Sequence, residues 1–172
     1  NLKFSDGSPL TATDVAYSYN QAATSGGKAD MGSFKQAKEI DDRTVVIELK
    51  RPESTFIHVL GALGIVPKAK YGADFAQHPI GAGPYKLTSL QPGQQLIVEA
   101  NPYYAGKKND FEKLVFVFLD QDSAYAAASS GKLDLIRIPQ TLANQPVKNM
   151  KLLVQKSVEN RRYFFRPILP CF

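Results

Sequence analysis

Tryptophan is absent from the 172 residues, histidine occurs twice, and the single cysteine is Cys171. One thiol beside the C-terminal end closes no internal disulfide and says nothing about redox compartment. His58 and His78 have no second His or Cys at ligand spacing, so a zinc site would need remote carboxylates. No Gly-x-Ser-x-Gly elbow occurs, and Cys171 has no setting for a nucleophile, which leaves covalent catalysis without a candidate. Long hydrophobic runs are also missing. The longest, Phe56–Pro67, is broken by His58 and is well short of the roughly 20 residues that cross a bilayer. The opening stretch Asn1–Leu10 has no apolar core of a secretory signal, so the chain is expected to be cytosolic or to have lost its start. Gly81-Ala82-Gly83 lacks the third glycine of a dinucleotide turn, and Pro84 follows where a helix should open.

What is present describes a globular chain. Hydrophobic residues make up 44% and charged residues 22%, with 12 Gly and 11 Pro, which excludes collagenous and disordered classes. The length suits one domain or two small ones, able to bury roughly two-thirds of the unfolded surface. The net charge of +5 is concentrated toward the end, in Lys148, Lys151, Lys156, Arg161, Arg162 and Arg166. Solvated surface lysines explain it; a small basic nucleic-acid-binding domain using residues 148–166 is the alternative.

Local patterns predict a mixed α/β chain. Asp6-Gly7 marks a turn, and Thr11 is placed to cap a helix starting at Ala12, with Asp14 near its positive end. Ala12, Val15, Ala16, Tyr19, Ala22 and Ala23 recur on one helical face, and Ser25-Gly26-Gly27 ends the run. After a polar loop, Thr44–Lys50 reads as a strand stopped by Pro52, and Ser54 as the cap of a short helix reaching about Leu63. Tyr85–Leu90 and Gln95–Ala100 flank Gln91-Pro92-Gly93 as a hairpin. Leu114–Leu119 is a continuous apolar run, expected for a strand covered on both faces. Asp120 then caps an Ala-rich helix that Gly131 terminates, and Leu133–Ile138 returns as a strand, making residues 113–138 a candidate βαβ crossover. The composition changes near Pro79–Pro84, where a boundary is placed. Asp41-Asp42 and Asp120 with Asp122 read as turn and cap chemistry rather than an acid–base pair. Tyr103-Tyr104 and Tyr163-Phe164-Phe165 read as packing residues rather than a stacking platform.

Four motifs in order carry a resemblance. The first is Lys3-Phe4-Ser5-Asp6-Gly7-Ser8-Pro9-Leu10-Thr11-Ala12-Thr13-Asp14-Val15 with Tyr17-Ser18-Tyr19. The second is Pro79-Ile80-Gly81-Ala82-Gly83-Pro84-Tyr85-Lys86-Leu87. Asn101-Pro102-Tyr103-Tyr104-Ala105-Gly106 follows, and then Lys113–Phe118 with Ser130-Gly131-Lys132-Leu133-Asp134-Leu135. Over about residues 1–159 the chain resembles the extracytoplasmic solute-binding proteins of ABC importers, family 5, the peptide and nickel group. Ala82 stands where that family usually has Thr or Ser, and Ala105 where it usually has Trp.

The resemblance implies part of the first lobe of a two-lobed, type II periplasmic-binding-protein-like fold. Such a protein is not an enzyme and needs no cofactor. It closes on a peptide or metal chelate outside the cytoplasmic membrane and delivers it to a permease, without nucleic acid as a partner. Residues 1–82 are expected to form the outer subdomain and 83–172 part of the central-sheet subdomain. Family members are more than twice this long, so the chain reads as a fragment unable to bind alone, with exposed strand edges that favour dimerisation. Residues 162–172 read as a non-native tail. By position, Met31, Gly32, Ser33 and Phe34 correspond to a ligand-facing loop, Ser33 offering a hydroxyl and Phe34 a wall. Arg137 and Pro139, at a strand end, are placed to meet a ligand carboxylate. Gly81, Gly83 and Pro84 are assigned turn geometry, with positive φ at the glycines.

Overall fold

Helix α1, Ala12–Thr24, starts where the sequence predicts. Its capping differs in direction: the Thr11 hydroxyl and N–H both donate to Asp14 Oδ2, each at 3.0 Å. The computed structural model describes residues 2–26, 29–142, 144–145, 147–154 and 162–165. It divides into two compact units, residues 1–116 and 117–172.

In the first unit, β1 (Phe34–Asp41) and β2 (Thr44–Leu49) form an antiparallel pair. Strand β1 occupies the region expected to be a polar loop. Its alternation is masked in the sequence because the register shifts between Phe34 and Gln36 and again between Glu39 and Asp41. Asp41 makes the turn, its carboxylate accepting from the Arg43 N–H, and this holds its pKa below the usual carboxylate range. Helix α2, Phe56–Ala62, lacks the predicted cap: Thr55 precedes it and no side chain caps its first turn. Ala16 and Tyr19 of α1, Phe34 and Ala37 of β1, and Phe56 of α2 form one buried cluster, with the Phe34 and Phe56 rings stacked.

Strands β3 (Tyr85–Gln91) and β4 (Gln95–Ala100) make the predicted hairpin, with Gly93 at φ +73° in its turn. Strand β5, Lys113–Val117, joins as the outer strand of the order β3-β4-β5. It is not covered on both faces: Val115 through Leu119 are each 44–50% exposed.

In the second unit, α3 (Gln121–Ser129) is capped by Asp120, which accepts from the Ser123 N–H at 2.9 Å. It ends with Gly131 at φ +80°, where Lys132 N–H donates to Ala127 O and Gly131 N–H to Ala128 O. Strands β6 (Leu135–Ile138), β7 (Lys151–Val154) and β8 (Arg162–Phe165) form a sheet in the order β6-β8-β7, with β8 antiparallel to both neighbours. The expected βαβ crossover is therefore corrected: β5 and β6 belong to different sheets. Among the described residues, the buried side chains of Ala128, Ile136, Ile138 and Val147 form this unit's core.

Candidate functional site

The sequence motifs converge on backbone rather than on a reactive centre. Lys3 bridges to Pro9, and the turn between them has Gly7 at φ +85°, where a Cβ would lie 3.1 Å from the Tyr103 ring. Phe4 is fully buried, and Ser5 N–H donates to Gly81 O at 2.8 Å. Asn101, only 5% exposed, is the hub. Its N–H donates to Pro84 O and its Nδ2 to Gly83 O, both at 2.8 Å, while its Oδ1 accepts from Tyr103 N–H at 3.0 Å. Three motifs far apart in the chain thus satisfy one another's polar groups, as buried backbone requires.

This corrects the expected role of two glycines. Gly81 and Gly83 are not among the positive-φ residues; their carbonyls act as acceptors for Ser5 and Asn101. The Pro84 carbonyl accepts from both the Asn101 N–H and the Asn109 side chain. Asp6 closes the knot from outside, accepting from Ser8 and pairing with Lys70. The Lys70 ammonium, then the Ser8 hydroxyl, lower its pKa to about 2.

Helix α1 carries a second set of anchors. Asp14 Oδ1 accepts from Lys68 N–H and Ser18 Oγ from Val66 N–H, both at 2.9 Å, fixing the segment after α2. Tyr19 donates its hydroxyl to Leu60 O at 3.0 Å, and burial raises its pKa. Asn20 presents its side-chain amide to β1 as another strand would, donating to Ala37 O at 2.8 Å and accepting from Ala37 N–H at 3.0 Å. The sequence reading passed over Asn20 and took Asn101 only as part of a motif; an amide inside an otherwise apolar or turn-forming stretch was the available signal.

The six residues assigned to a ligand divide between the two units. Ser33 and Phe34 are each 3% exposed, Phe34 within the first unit's buried cluster. Met31 is half-buried against the α1–β1 core, and Gly32 is exposed, its N–H held by Asp30. Arg137 is exposed on β6 between buried Ile136 and Ile138, and half-buried Pro139 follows. Arg137 has no ion-pair partner among the described residues. Beside the Asn101 hub lies an open depression of about 670 Å³, lined by Glu99, Tyr104, Lys108 and Glu112 among others. No three His, Cys, Asp or Glu side chains cluster for a metal among the described residues, and none of their helices is long and apolar enough to cross a membrane. Of the basic stretch 148–166, Lys148 and Lys151 are exposed, whereas Lys156, Arg161 and Arg166 lie outside the described residues.

The side chains of the Asn101 hub and of α1 hold backbone in place within a mixed α/β framework. The chain belongs to the bacterial extracellular solute-binding proteins, family 5, whose middle-region model matches residues 1–167. This is a family of non-enzymatic, periplasmic or extracellular binding proteins. Among its relatives, the probable D,D-dipeptide-binding periplasmic protein DdpA of Escherichia coli is 32% identical over 175 residues, covering 93% of this chain and 32% of DdpA. NikZ of Campylobacter jejuni, solved in complex with Ni(L-His), superposes with a TM-score of 0.82 at 26% identity, covering 91% of this chain and 34% of that one. AppA of Bacillus subtilis, solved with a nonapeptide, gives 0.77 at 25% identity, covering 90% and 34%. The chain therefore spans about a third of the length of these relatives.

Proposed function

We propose that the chain is part of the solute-capturing component of an ABC importer, working outside the cytoplasmic membrane and delivering a peptide or metal-chelate ligand to a permease. The family match over residues 1–167 carries this reading. Residues 1–82 form the outer subdomain of the first lobe and 83–172 part of its central-sheet subdomain. Among the positions assigned to the ligand, Gly32 and Arg137 are the exposed ones, with Met31 and Pro139 half-buried beside them. An exposed guanidinium with no partner among the described residues suits bidentate recognition of a ligand carboxylate. Two lobes closing on a ligand exclude water, so a few such groups suffice for affinity. Gly81, Gly83 and Pro84 hold the turn between subdomains in shape through their carbonyls.

The test is a thermal-shift panel of di- and oligopeptides, nickel with histidine, opine-type sugars and haem, run on the protein at the length of its relatives. A ligand at about 100 times its dissociation constant adds roughly 2.7 kcal/mol, so one class should raise the melting temperature clearly. Arg137→Ala should then weaken a carboxylate-bearing ligand by at least about tenfold, the scale of a lost charged hydrogen bond. A flat response to every class refutes ligand capture. Salt-sensitive DNA binding in its place would favour the basic-tail alternative.

A further inference from the structure

Asp6-Gly7 is the one Asp-Gly step in the chain, and no Asn-Gly step occurs. A glycine after an aspartate puts no side chain in the way of its own amide nitrogen, so that nitrogen can attack the aspartate Cγ. A bond from Gly7 N to Asp6 Cγ forms, a Cγ–O bond breaks and one water leaves, giving a five-membered succinimide. One water then adds back at either carbonyl. One opening restores Asp6, and the other leaves isoaspartate, whose main chain runs through the side chain and is one carbon longer. The reaction needs a free amide nitrogen, an un-ionised carboxyl, and freedom for the side chain to swing onto the backbone.

All three are withheld in the folded chain. The Gly7 N–H donates to Phe4 O at 2.9 Å. Both carboxylate oxygens of Asp6 are held: Oδ1 accepts from the Ser8 N–H at 2.9 Å and the Ser8 hydroxyl at 2.6 Å, and Oδ2 pairs with the Lys70 ammonium. The ammonium first, then the hydroxyl, keep the group ionised, with a pKa of about 2. Lys70 arrives from 64 residues along the chain, so this protection exists only in the fold. The surrounding turn has no slack for a longer main chain. Phe4 N–H donates to Ser8 O at 2.9 Å, Lys3 bridges to Pro9, and Gly7 lies against the Tyr103 ring.

We propose that Asp6-Gly7 is a latent succinimide-forming site that Lys70 and Ser8 hold shut, and that losing this lock converts the N-terminal turn to its isoaspartyl form.

The 172-residue chain is incubated near neutral pH below its melting temperature. Isoaspartate at position 6 is followed by peptide mapping with electron-transfer fragmentation, which tells the two linkages apart. The same chain unfolded in urea sets the unprotected rate. The folded parent should isomerise at least about tenfold more slowly, because an adjacent opposite charge lowers a carboxyl pKa by about 1–3 and cuts its un-ionised fraction in proportion. Lys70→Met should recover much of the unprotected rate, whereas Lys70→Arg, which keeps the charge, should stay slow. If Lys70→Met does not fold, Ser8→Ala decides by the same measurement, with faster isomerisation expected. A folded parent as fast as the unfolded chain overturns the proposal. So do folded Lys70→Met and Ser8→Ala chains that are both as slow as the parent, or a Lys70→Arg chain as fast as Lys70→Met.

Discussion

Asn101 shows how much one buried amide can organise. Its side chain satisfies a carbonyl at Gly83 and an N–H at Tyr103, groups in two different motifs. Truncation leaves both without that partner, beside a depression that water can enter. Asn101→Ala is therefore expected to cost about 2 kcal/mol, the low end of roughly 1–3 kcal/mol for each of the two orphaned groups, measured by urea denaturation. Asn101→Asp keeps the acceptor for Tyr103 but turns an oxygen toward Gly83 O, and should destabilise as well. Asp6 gives a pH signature. Its folded pKa of about 2 lies below the ordinary aspartate value of 3.8, so its contribution is present above about pH 4 and is lost as pH falls toward 2. The stability gap between the parent chain and Asp6→Asn should accordingly be full near neutrality and vanish as the pH nears 2. A gap independent of pH would show that the Lys70 pair contributes nothing.

Among the elements, α1 does the most positioning. One apolar stripe packs Ala16 and Tyr19 on the first core, while Asp14, Ser18, Tyr19 and Asn20 each bond backbone of another segment. Asn20 matters most for β1, because it occupies both hydrogen-bonding groups of Ala37 on a strand whose only sheet partner among the described residues is β2. Asn20→Ala should destabilise the first unit by about 1–3 kcal/mol and speed amide exchange at Ala37. Loss of stability without faster exchange there would rule out the strand-like role. Helix α3 ends by simpler means: an Asp at its start and a left-handed Gly past its end suffice.

At the scale of the whole molecule, the chain covers most of its own length and about a third of each relative's in the superpositions. The ligand panel is therefore run on the protein at the length of its relatives. The exposure of Val115 through Leu119 belongs to the same scale, since no local feature distinguishes an apolar strand that is covered from one that is open. The same limit explains the crossover that is not there. Strand, helix and strand follow one another from Lys113 to Ile138, but pairing partners are chosen across the chain, and β6 pairs with β8.

The amino-acid order by itself determined whatever depends on neighbours a few residues apart. It set the start of α1, the hairpin about Gly93 and both ends of α3, and its motifs in register identified the family. Only the tertiary structure decided what those motifs are for. Ser33 and Phe34 point inward, Gly81 and Gly83 serve through their carbonyls, and Asn101 joins segments that the sequence keeps far apart. The physical reason is that burial and hydrogen-bond partnership are properties of contacts between distant segments, and a linear pattern specifies which groups need partners without specifying which partners they find.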